Sequence, residues 1–197
     1  MYAAYTGACN RLTPAQVLAW SEQQQHSYLL SEGMVAWVKS VVDSYHSQAP
    51  LVFRQLFEPT SSTYTYLLAD ATSRDAVLID PVLETVDRDL SIIQQLNLHL
   101  KYVINTHVHA DHVSGSGKLK SLVPGCMSVL AEPAAIADVH MQDLQALEFG
   151  SRKLFAMATP GHTSVSASCV CPTCVARIGV YFYVHSDHAC VCCCACL

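Results

Sequence analysis

The sequence predicts an α/β sandwich, in which helices pack against layered β-sheet. A β-hairpin pattern occupies residues 51–68, and a strand, a helix and a further strand follow within residues 76–105. A histidine-rich segment comes directly after that last strand. At 197 residues, the chain is long enough for one domain with a sizeable core.

The first strands show β-branched and aromatic residues, in residues 51–57 and 63–68. The next strand, residues 76–79, runs into Asp80 and Pro81. Because proline cannot continue a central ladder, Asp80 is predicted at a strand end, where layered α/β folds commonly carry functional carboxylates.

The elements beyond Pro81 follow from apolar periodicity and from Pro and Gly punctuation. The helix at residues 87–98 directs Leu90, Ile93 and Leu96 inward. The other predicted elements are helices at 118–122 and 133–139 and strands at 100–105, 127–130 and 154–158.

Residues 1–50 are predicted to form a separate helical extension. Thr13 and Pro14 have the pattern of a helix start, and Gly33 is a plausible stop before a second helix with one apolar stripe. A partner-binding or membrane-surface hairpin is the alternative. The polar face lacks the Lys/Arg excess of a membrane helix, which favours simple packing beside the domain.

Composition excludes several classes of function. The net charge of −5 and the pI near 6.0, without a Lys/Arg cluster, give no support for nucleic-acid binding or for an anionic membrane surface. An apolar run of about 20 residues, which a membrane span requires, does not occur. A small-molecule partner is therefore expected.

The cysteines are concentrated in a tail, residues 164–197, which we predict to be an irregular, low-complexity segment. Cys171 and Cys174 with His185 and His188 imitate a zinc site, but their spacing is short. Residues 194–197 loosely fit a prenylation box. A disordered or misfolded end is the favoured interpretation, because residues 190–197 are of low complexity. Only Cys9 and Cys126 lie outside this tail, which indicates that the body of the protein is a reduced intracellular domain.

The segment after the strand at 100–105 has the composition of a metal site. His107, His109, Asp111 and His112 fall within six positions. In a loop, all four side chains could converge on one cation, whereas in a strand only the first three would share a face. The alternative, a polar loop with solvated histidines, explains this density of ligand types less well.

A second candidate ligand, His162, follows Pro160 and Gly161 after the strand at 154–158. A histidine held at a strand end can share an ion with the first cluster. Alone it would be read as an ordinary loop histidine, but the cluster about fifty positions upstream favours the ligand interpretation.

These motifs, Thr106–His112 with Pro160–Thr163, resemble the metallo-β-lactamase superfamily, whose fold is a four-layer αββα sandwich with a metal site at one sheet edge. Within it, the chain resembles the persulfide dioxygenases over residues 54–163. The resemblance implies three regions: an extension at 1–50, a partial domain at 51–163 and the tail at 164–197. The blocks that carry the finer resemblance are Arg54–Pro59, Ala76–Thr85, His109–Gly117 and Val123–Cys126.

The resemblance implies oxidation of glutathione persulfide by dioxygen to sulfite at one non-haem Fe(II), with zinc as the alternative metal. His107 and His162 match the histidine iron ligands. His109, Asp111 and His112 would be supporting groups or alternative metal ligands, and Asp80 would support the loop. A homodimer in the mitochondrial matrix is also implied, although the N-terminus gives no independent support for that location and a cytoplasmic protein is the alternative.

The chain departs from the family pattern after Thr163, because no Gly-Asp segment supplies the third, carboxylate ligand. We therefore expect only the N-terminal half of the fold, with poor stability, weak iron binding and little activity. One alternative is a glyoxalase II-like hydroxyacylglutathione thioester hydrolase with two zinc ions, although Val108 stands where such relatives commonly have histidine. The other is a catalytically dead isoform or binding remnant.

Overall fold

The computed structural model describes residues 50–158, 163–171, 182–183 and 191–192. The predicted helical extension lies outside these ranges except for Pro50, and so does the candidate ligand His162. Most of the cysteine-rich tail lies outside them as well. The described strands and helices therefore test the prediction for the domain and leave the extension as a prediction.

A six-stranded sheet organises this part of the chain, with its strands side by side in sequence order. The strands are β1 (Leu51–Glu58), β2 (Thr63–Asp70), β3 (Asp75–Ile79), β4 (His99–Ile104), β5 (Met127–Leu130) and β6 (Val139–His140). The first three are antiparallel neighbours, whereas β3 to β6 run parallel. Parallel neighbours need crossover connections, which two of the loops supply as helices.

Two helices cover one face of this sheet. Helix α1 (Val86–Gln95) follows a short 3-10 helix (Leu83–Thr85) and links β3 to β4, and α2 (Ser116–Leu122) links β4 to β5. Val86 and Ile93 of α1 and Leu119 of α2 are buried in one apolar cluster with Leu67 and Leu78 of the sheet. No helix among the described residues is long and apolar enough to cross a membrane.

A second, antiparallel sheet covers the opposite face. It contains β7 (Ala146–Phe149), β8 (Arg152–Ala158) and β9 (Ala167–Val170). Phe149 and Leu154 of this sheet pack with Leu68, Val77 and Ile104 of the first sheet in a second apolar cluster. The layers are therefore helix, sheet and sheet, which confirms the predicted fold class. A further pair of short strands, β10 (Phe182–Tyr183) and β11 (Val191–Cys192), also lies within the described residues.

One buried carboxylate joins the two sheets. Asp70, at the end of β2, accepts hydrogen bonds from the amide and the hydroxyl of Ser151 at 2.9 and 2.6 Å, and its Oδ2 lies 3.9 Å from Arg152 Nε. Burial raises the pKa of Asp70, but the bonds from Ser151 and from the Thr72 amide outweigh it and lower the pKa to about 2. Gly150 allows this approach, because a Cβ there would overlap Ser73 Oγ.

Residues 133–139 do not form the predicted helix. Residues 133–138 form turns and bends, and Val139 begins β6. Ile136, which the predicted helix would have needed for an apolar face, is fully exposed. Asp138 instead accepts a hydrogen bond from the Ser128 amide at 2.7 Å and pairs with Lys120, so tertiary contacts hold the segment in a non-helical path.

The second sheet extends beyond Thr163, the last residue that the sequence assigned to the domain. Ala167–Val170 pairs with β8 along its length, with Ala158 opposite Ala167 and Phe155 opposite Val170. Cys169 and Cys171 are buried in the cluster between the sheets. The first residues of the segment predicted as an irregular tail therefore belong to the core.

Candidate metal centre

The histidine-rich loop begins at the edge of the first sheet where the parallel strands β3 and β4 have their carboxyl ends. Asp80 directly follows β3, as predicted, and its amide donates to the Ile104 carbonyl at 2.8 Å. The Asn105 amide donates to the Val129 carbonyl of β5 at 3.0 Å. Loops from neighbouring strands converge at this edge, which is where α/β sheets commonly bind ligands.

Asp80 holds the start of the loop. Its buried carboxylate accepts hydrogen bonds from the amide and the hydroxyl of Thr106, at 2.7 and 2.9 Å, and lies 3.1 Å from His109 Nε2. The φ of +51° at Asp80 turns the chain sharply away from β3. Burial raises the pKa of this carboxyl, but the hydrogen bond and charge of His109 and the bonds from Thr106 hold it below its usual range.

The contact with Asp80 also orients His109. Because Nε2–H donates to Asp80, the other nitrogen, Nδ1, faces Asp111 Oδ1 at 3.7 Å. Burial lowers the pKa of His109, and the hydrogen bond and charge of Asp80 outweigh this effect, so the pKa is raised. A carboxylate behind a ligating histidine fixes which nitrogen is available to a metal ion.

The two ring nitrogens of His112 have different surroundings. Its Nδ1 lies 3.2 Å from Asp111 Oδ1 and 3.2 Å from the hydroxyl of Thr63, at the start of β2. Its Nε2 is buried and has no hydrogen-bond partner among the described residues. A buried nitrogen without a partner is costly, which is the expected condition of a metal ligand in the absence of its ion.

Three side chains of the loop bring ligand atoms together. One atom each of His109, Asp111 and His112 lies within 4.8 Å of the others. Two imidazoles and one carboxylate form a donor set that suits Fe(II) or Zn²⁺. The unpartnered Nε2 of His112 and the oriented ring of His109 therefore fit a bound metal ion at this edge.

His107 lies beside this group. It is buried, its ring centroid is 4.0 Å from that of His109, and its Nδ1 is 2.9 Å from the Thr106 hydroxyl. The structure thus brings together the three residues that were assigned a supporting or alternative role, with the predicted iron ligand His107 adjacent to them. The predicted partner ligand, His162, lies outside the described residues, so the His107–His162 pair stays a prediction.

The roles of two threonines at the site were not predicted from the sequence. Thr106 stands inside the motif, and a hydroxyl next to the first histidine could have been noticed as a partner for Asp80. Thr63 gave no such signal, because it lies 49 positions from His112 in the sequence and reaches it only through strand pairing. Across the loop, Ser114 Oγ donates to Asn105 Oδ1 at 2.8 Å, a contact also not predicted.

The end of the loop fits closely against the helical layer at Gly115. Its amide donates to the Pro81 carbonyl at 2.7 Å, and a Cβ there would lie 2.7 Å from Val86 Cγ2 and 3.1 Å from the Val82 carbonyl oxygen. We expect Gly115→Ala to lower the free energy of unfolding by about 1–3 kcal/mol, because the backbone of Val82 cannot easily move. Urea denaturation followed by circular dichroism measures this change.

Gly117 provides the matched control. It lies in α2, two positions further on, and a Cβ there would have no neighbour within 4 Å. Gly117→Ala should therefore raise stability by about 0.5–1 kcal/mol, since alanine favours the helix. Equal effects of the two substitutions would contradict the close fit at Gly115.

The thiols described in the structure do not form a metal site. Cys126, Cys169 and Cys171 are buried. Burial raises the pKa of Cys126 to about 11 and that of Cys169 further, so both remain protonated and unreactive near neutral pH. The other residues of the zinc-like pattern, and the prenylation pattern at 194–197, lie outside the described residues.

The fold and the loop resemble those of known proteins. Residues 59–124 match the model of the metallo-beta-lactamase superfamily. This segment of the chain is therefore similar to that superfamily. Within that class it is similar to the persulfide dioxygenases: it is 55% identical to human mitochondrial persulfide dioxygenase ETHE1 over 118 residues, which are 59% of this chain and 46% of the human one.

A solved structure agrees with this similarity. The crystal structure of ETHE1 from Myxococcus xanthus superposes with a TM-score of 0.58 and 45% sequence identity, over 61% of this chain and 53% of that one. A more distant relative is the mouse hydroxyacylglutathione hydrolase-like protein, 33% identical over 103 residues, or 51% of this chain and 35% of that one. The chain spans about half the length of the persulfide dioxygenases it matches.

Proposed function

We propose that this chain is a persulfide dioxygenase-like protein that oxidises glutathione persulfide with dioxygen at a single non-haem Fe(II). The observation that carries the proposal is the 55% identity to human ETHE1 over a segment of 118 residues. The chain covers only 46% of that relative, so the activity of the whole protein comes to this chain as a proposal.

Bound Fe(II) would supply the dioxygen chemistry, in which the outer sulfur of glutathione persulfide is oxidised: GSSH, O₂ and H₂O give GSH, sulfite and two protons. His107 and His162 would hold the iron according to the family resemblance. The other candidate ligands are His109, Asp111 and His112, whose ligand atoms already lie together. Zinc in place of iron would not supply this redox step.

The residues of this chain prepare the site in two ways. Asp80 fixes the loop through Thr106 and orients His109, so that little reorganisation is needed when a ligand binds. Asp111, whose side chain is 53% exposed, keeps one side of the ligand group in contact with water, from which a small-molecule substrate can reach it. The histidine rings themselves are buried.

A second candidate function is hydrolysis of a glutathione thioester with zinc. It is favoured by the ligand group of His109, Asp111 and His112, because this group does not include the predicted iron ligand His107. The identity of 33% to the mouse hydroxyacylglutathione hydrolase-like protein is the sequence counterpart of this observation. Zinc would then lower the pKa of a bound water and so provide a hydroxide nucleophile at neutral pH.

One experiment separates these functions. The purified full chain is analysed for iron and zinc, and then assayed for oxygen uptake and sulfite formation with glutathione persulfide and for hydrolysis of S-lactoylglutathione. Because no Gly-Asp segment follows Thr163 to supply the family's carboxylate ligand, we expect weakly bound iron and slow oxygen uptake, with both falling to background in His107→Ala. His140→Ala, which removes an exposed histidine of β6, is the matched control and should leave both unchanged.

The contrary outcomes are distinct. Bound zinc with thioester hydrolysis and no oxygen uptake would support the hydrolase. A folded chain that binds neither metal would contradict both enzymes and support a catalytically dead binding product. Oxygen uptake that survives His107→Ala would overturn the assignment of His107 as an iron ligand while leaving the activity in place.

We also propose a mitochondrial location, because the human relative is named as a mitochondrial protein. Cell fractionation with antibody detection tests it, and recovery of the chain in the cytosolic fraction alone would contradict it. The homodimer implied by the resemblance stays a prediction that size-exclusion chromatography with light scattering can test.

A further inference from the structure

We propose that Thr63 is a positioning residue for His112, and that it acts through a chain of hydrogen bonds that begins at Glu58. The proposed effect is to keep the imidazole proton on Nδ1, so that the lone pair of the buried Nε2 is directed into the metal site. The inference rests on the metal binding in the proposed function, but it does not depend on which metal binds or which reaction follows.

The hydroxyl chain consists of Glu58, Ser61 and Thr63, and all three lie at the tip of the β1–β2 hairpin. Ser61 Oγ is 2.7 Å from Glu58 Oε2 and 2.8 Å from Thr63 Oγ1. Thr63 Oγ1 is in turn 3.2 Å from His112 Nδ1. Glu58 and Thr63 are paired across the hairpin, so the strand register itself brings the first and last members of the chain together.

The direction of these hydrogen bonds follows from the first group. The hydroxyl and amide of Ser61 and the amide of Thr60 bond to Glu58 and lower its pKa to about 2, so the carboxylate is ionised and can only accept. The Ser61 hydroxyl must therefore donate to Glu58 and accept from Thr63. The Thr63 hydroxyl proton is then committed to Ser61, and its oxygen is left to accept from His112 Nδ1–H.

A second acceptor supports the same tautomer. Asp111 Oδ1 also lies 3.2 Å from His112 Nδ1, but its side chain is 53% exposed and water competes for it. If a metal ion takes Asp111 as a ligand, that oxygen is no longer fully available to the ring, whereas Thr63 remains. Thr63 is thus the acceptor that can hold the Nδ1–H tautomer in both states.

The proposed role of this arrangement concerns the other ring nitrogen of His112, Nε2. His112 Nε2 is buried and has no hydrogen-bond partner among the described residues. With the proton on Nδ1, this nitrogen carries a lone pair, which a divalent cation requires. With the proton on Nε2 instead, an N–H donor would be buried without an acceptor and the metal ligand would be lost.

The test compares Thr63→Val, which keeps the shape and removes the hydroxyl, with Thr72→Val in the exposed turn after β2. The full chain is labelled with ¹⁵N-histidine, and the tautomer of His112 is read from the ring nitrogen shifts without metal. Co²⁺ affinity is then measured by its absorption spectrum. We expect Thr63→Val to convert a single Nδ1–H form into a mixture and to weaken Co²⁺ binding about tenfold. Thr72→Val should change neither.

Two further variants separate positioning from packing. Thr63→Ser retains the hydroxyl and should restore both the tautomer and the affinity to within about twofold of wild type, as expected if the hydroxyl is what counts. Ser61→Ala interrupts the hydroxyl chain and leaves Thr63 in place, so it still tests the inference if Thr63→Val does not fold. It should produce a smaller shift in the same direction.

The inference is overturned if Thr63→Val folds with the Nδ1–H form unchanged, or if Ser61→Ala and Thr63→Ser have equal effects. A wild-type chain that binds no Co²⁺ would contradict the metal site of the proposed function. The tautomer measured without metal would still decide whether the hydroxyl chain orders His112, so the two failures can be told apart.

Discussion

Replacing Asp70 by alanine is expected to lower the free energy of unfolding by about 3–5 kcal/mol, the cost of removing one partner of a buried ion pair. Arg152 is fully buried between the sheets and would lose the carboxylate 3.9 Å away. The amide and hydroxyl of Ser151 would lose their acceptor as well. Urea denaturation followed by circular dichroism gives the difference directly.

A matched control is available on the surface. Asp87 pairs with Lys118 at 3.1 Å, but its side chain is 84% exposed. Asp87→Ala should therefore change stability by less than about 1 kcal/mol, as is usual for surface ion pairs. If both substitutions had the same small effect, the sheets would not be held together through Asp70.

The same carboxylate predicts a pH dependence. The folded pKa of Asp70, about 2, lies below the value of about 3.9 expected for an unfolded aspartate. The resulting stabilisation is fully present above pH 4 to 5 and is lost as the pH falls through the folded pKa, because the unfolded chain then binds the proton more readily. Asp70→Ala should therefore show a shallower loss of stability on acidification than the wild-type chain.

The strands and helices of the first two layers could be predicted because their signals are local. Residues 51–58 and 63–70 are rich in β-formers, and α1 repeats apolar residues at helical spacing, so each segment carries its own pattern. The turn at 133–138 could not be predicted in this way. There the partners of Asp138, which are Ser128 and Lys120, decide the path of the chain.

In the candidate site, too, the features with a local sequence pattern could be predicted and the contacts between distant residues could not. The metal loop was predictable because its histidines and Asp111 are contiguous in sequence and follow a clear strand. The support from Asp80 was predictable in position, since Pro81 marks the strand end, but its bonds to Thr106 were not. The contact of Thr63 with His112 depends on how the hairpin is placed over the loop, which no local pattern encodes.

The second large effect is expected at Asp80, where Asp80→Asn should weaken metal binding by up to about a hundredfold. Asparagine has the same size and tolerates the positive φ of +51°, so the backbone should be preserved. However, asparagine replaces one of the two carboxylate oxygens by an NH₂ group, which is a donor. This donor would face either the groups of Thr106 or the ring of His109, all of which donate to the carboxylate of Asp80. His109 would then lose the partner that orients its Nδ1 toward the site.

Co²⁺ titration of the full chain measures this loss, and Asp138→Asn is the control. Asp138 also accepts from a backbone amide and pairs with a lysine, but it belongs to the loop before β6 rather than to the metal loop. Its substitution should lower stability without changing Co²⁺ affinity. Asp80→Ala would add about 1–2 kcal/mol of backbone strain at the positive φ, so only the asparagine variant isolates the carboxylate. Wild-type Co²⁺ affinity in folded Asp80→Asn would show that His109 is oriented by something other than Asp80.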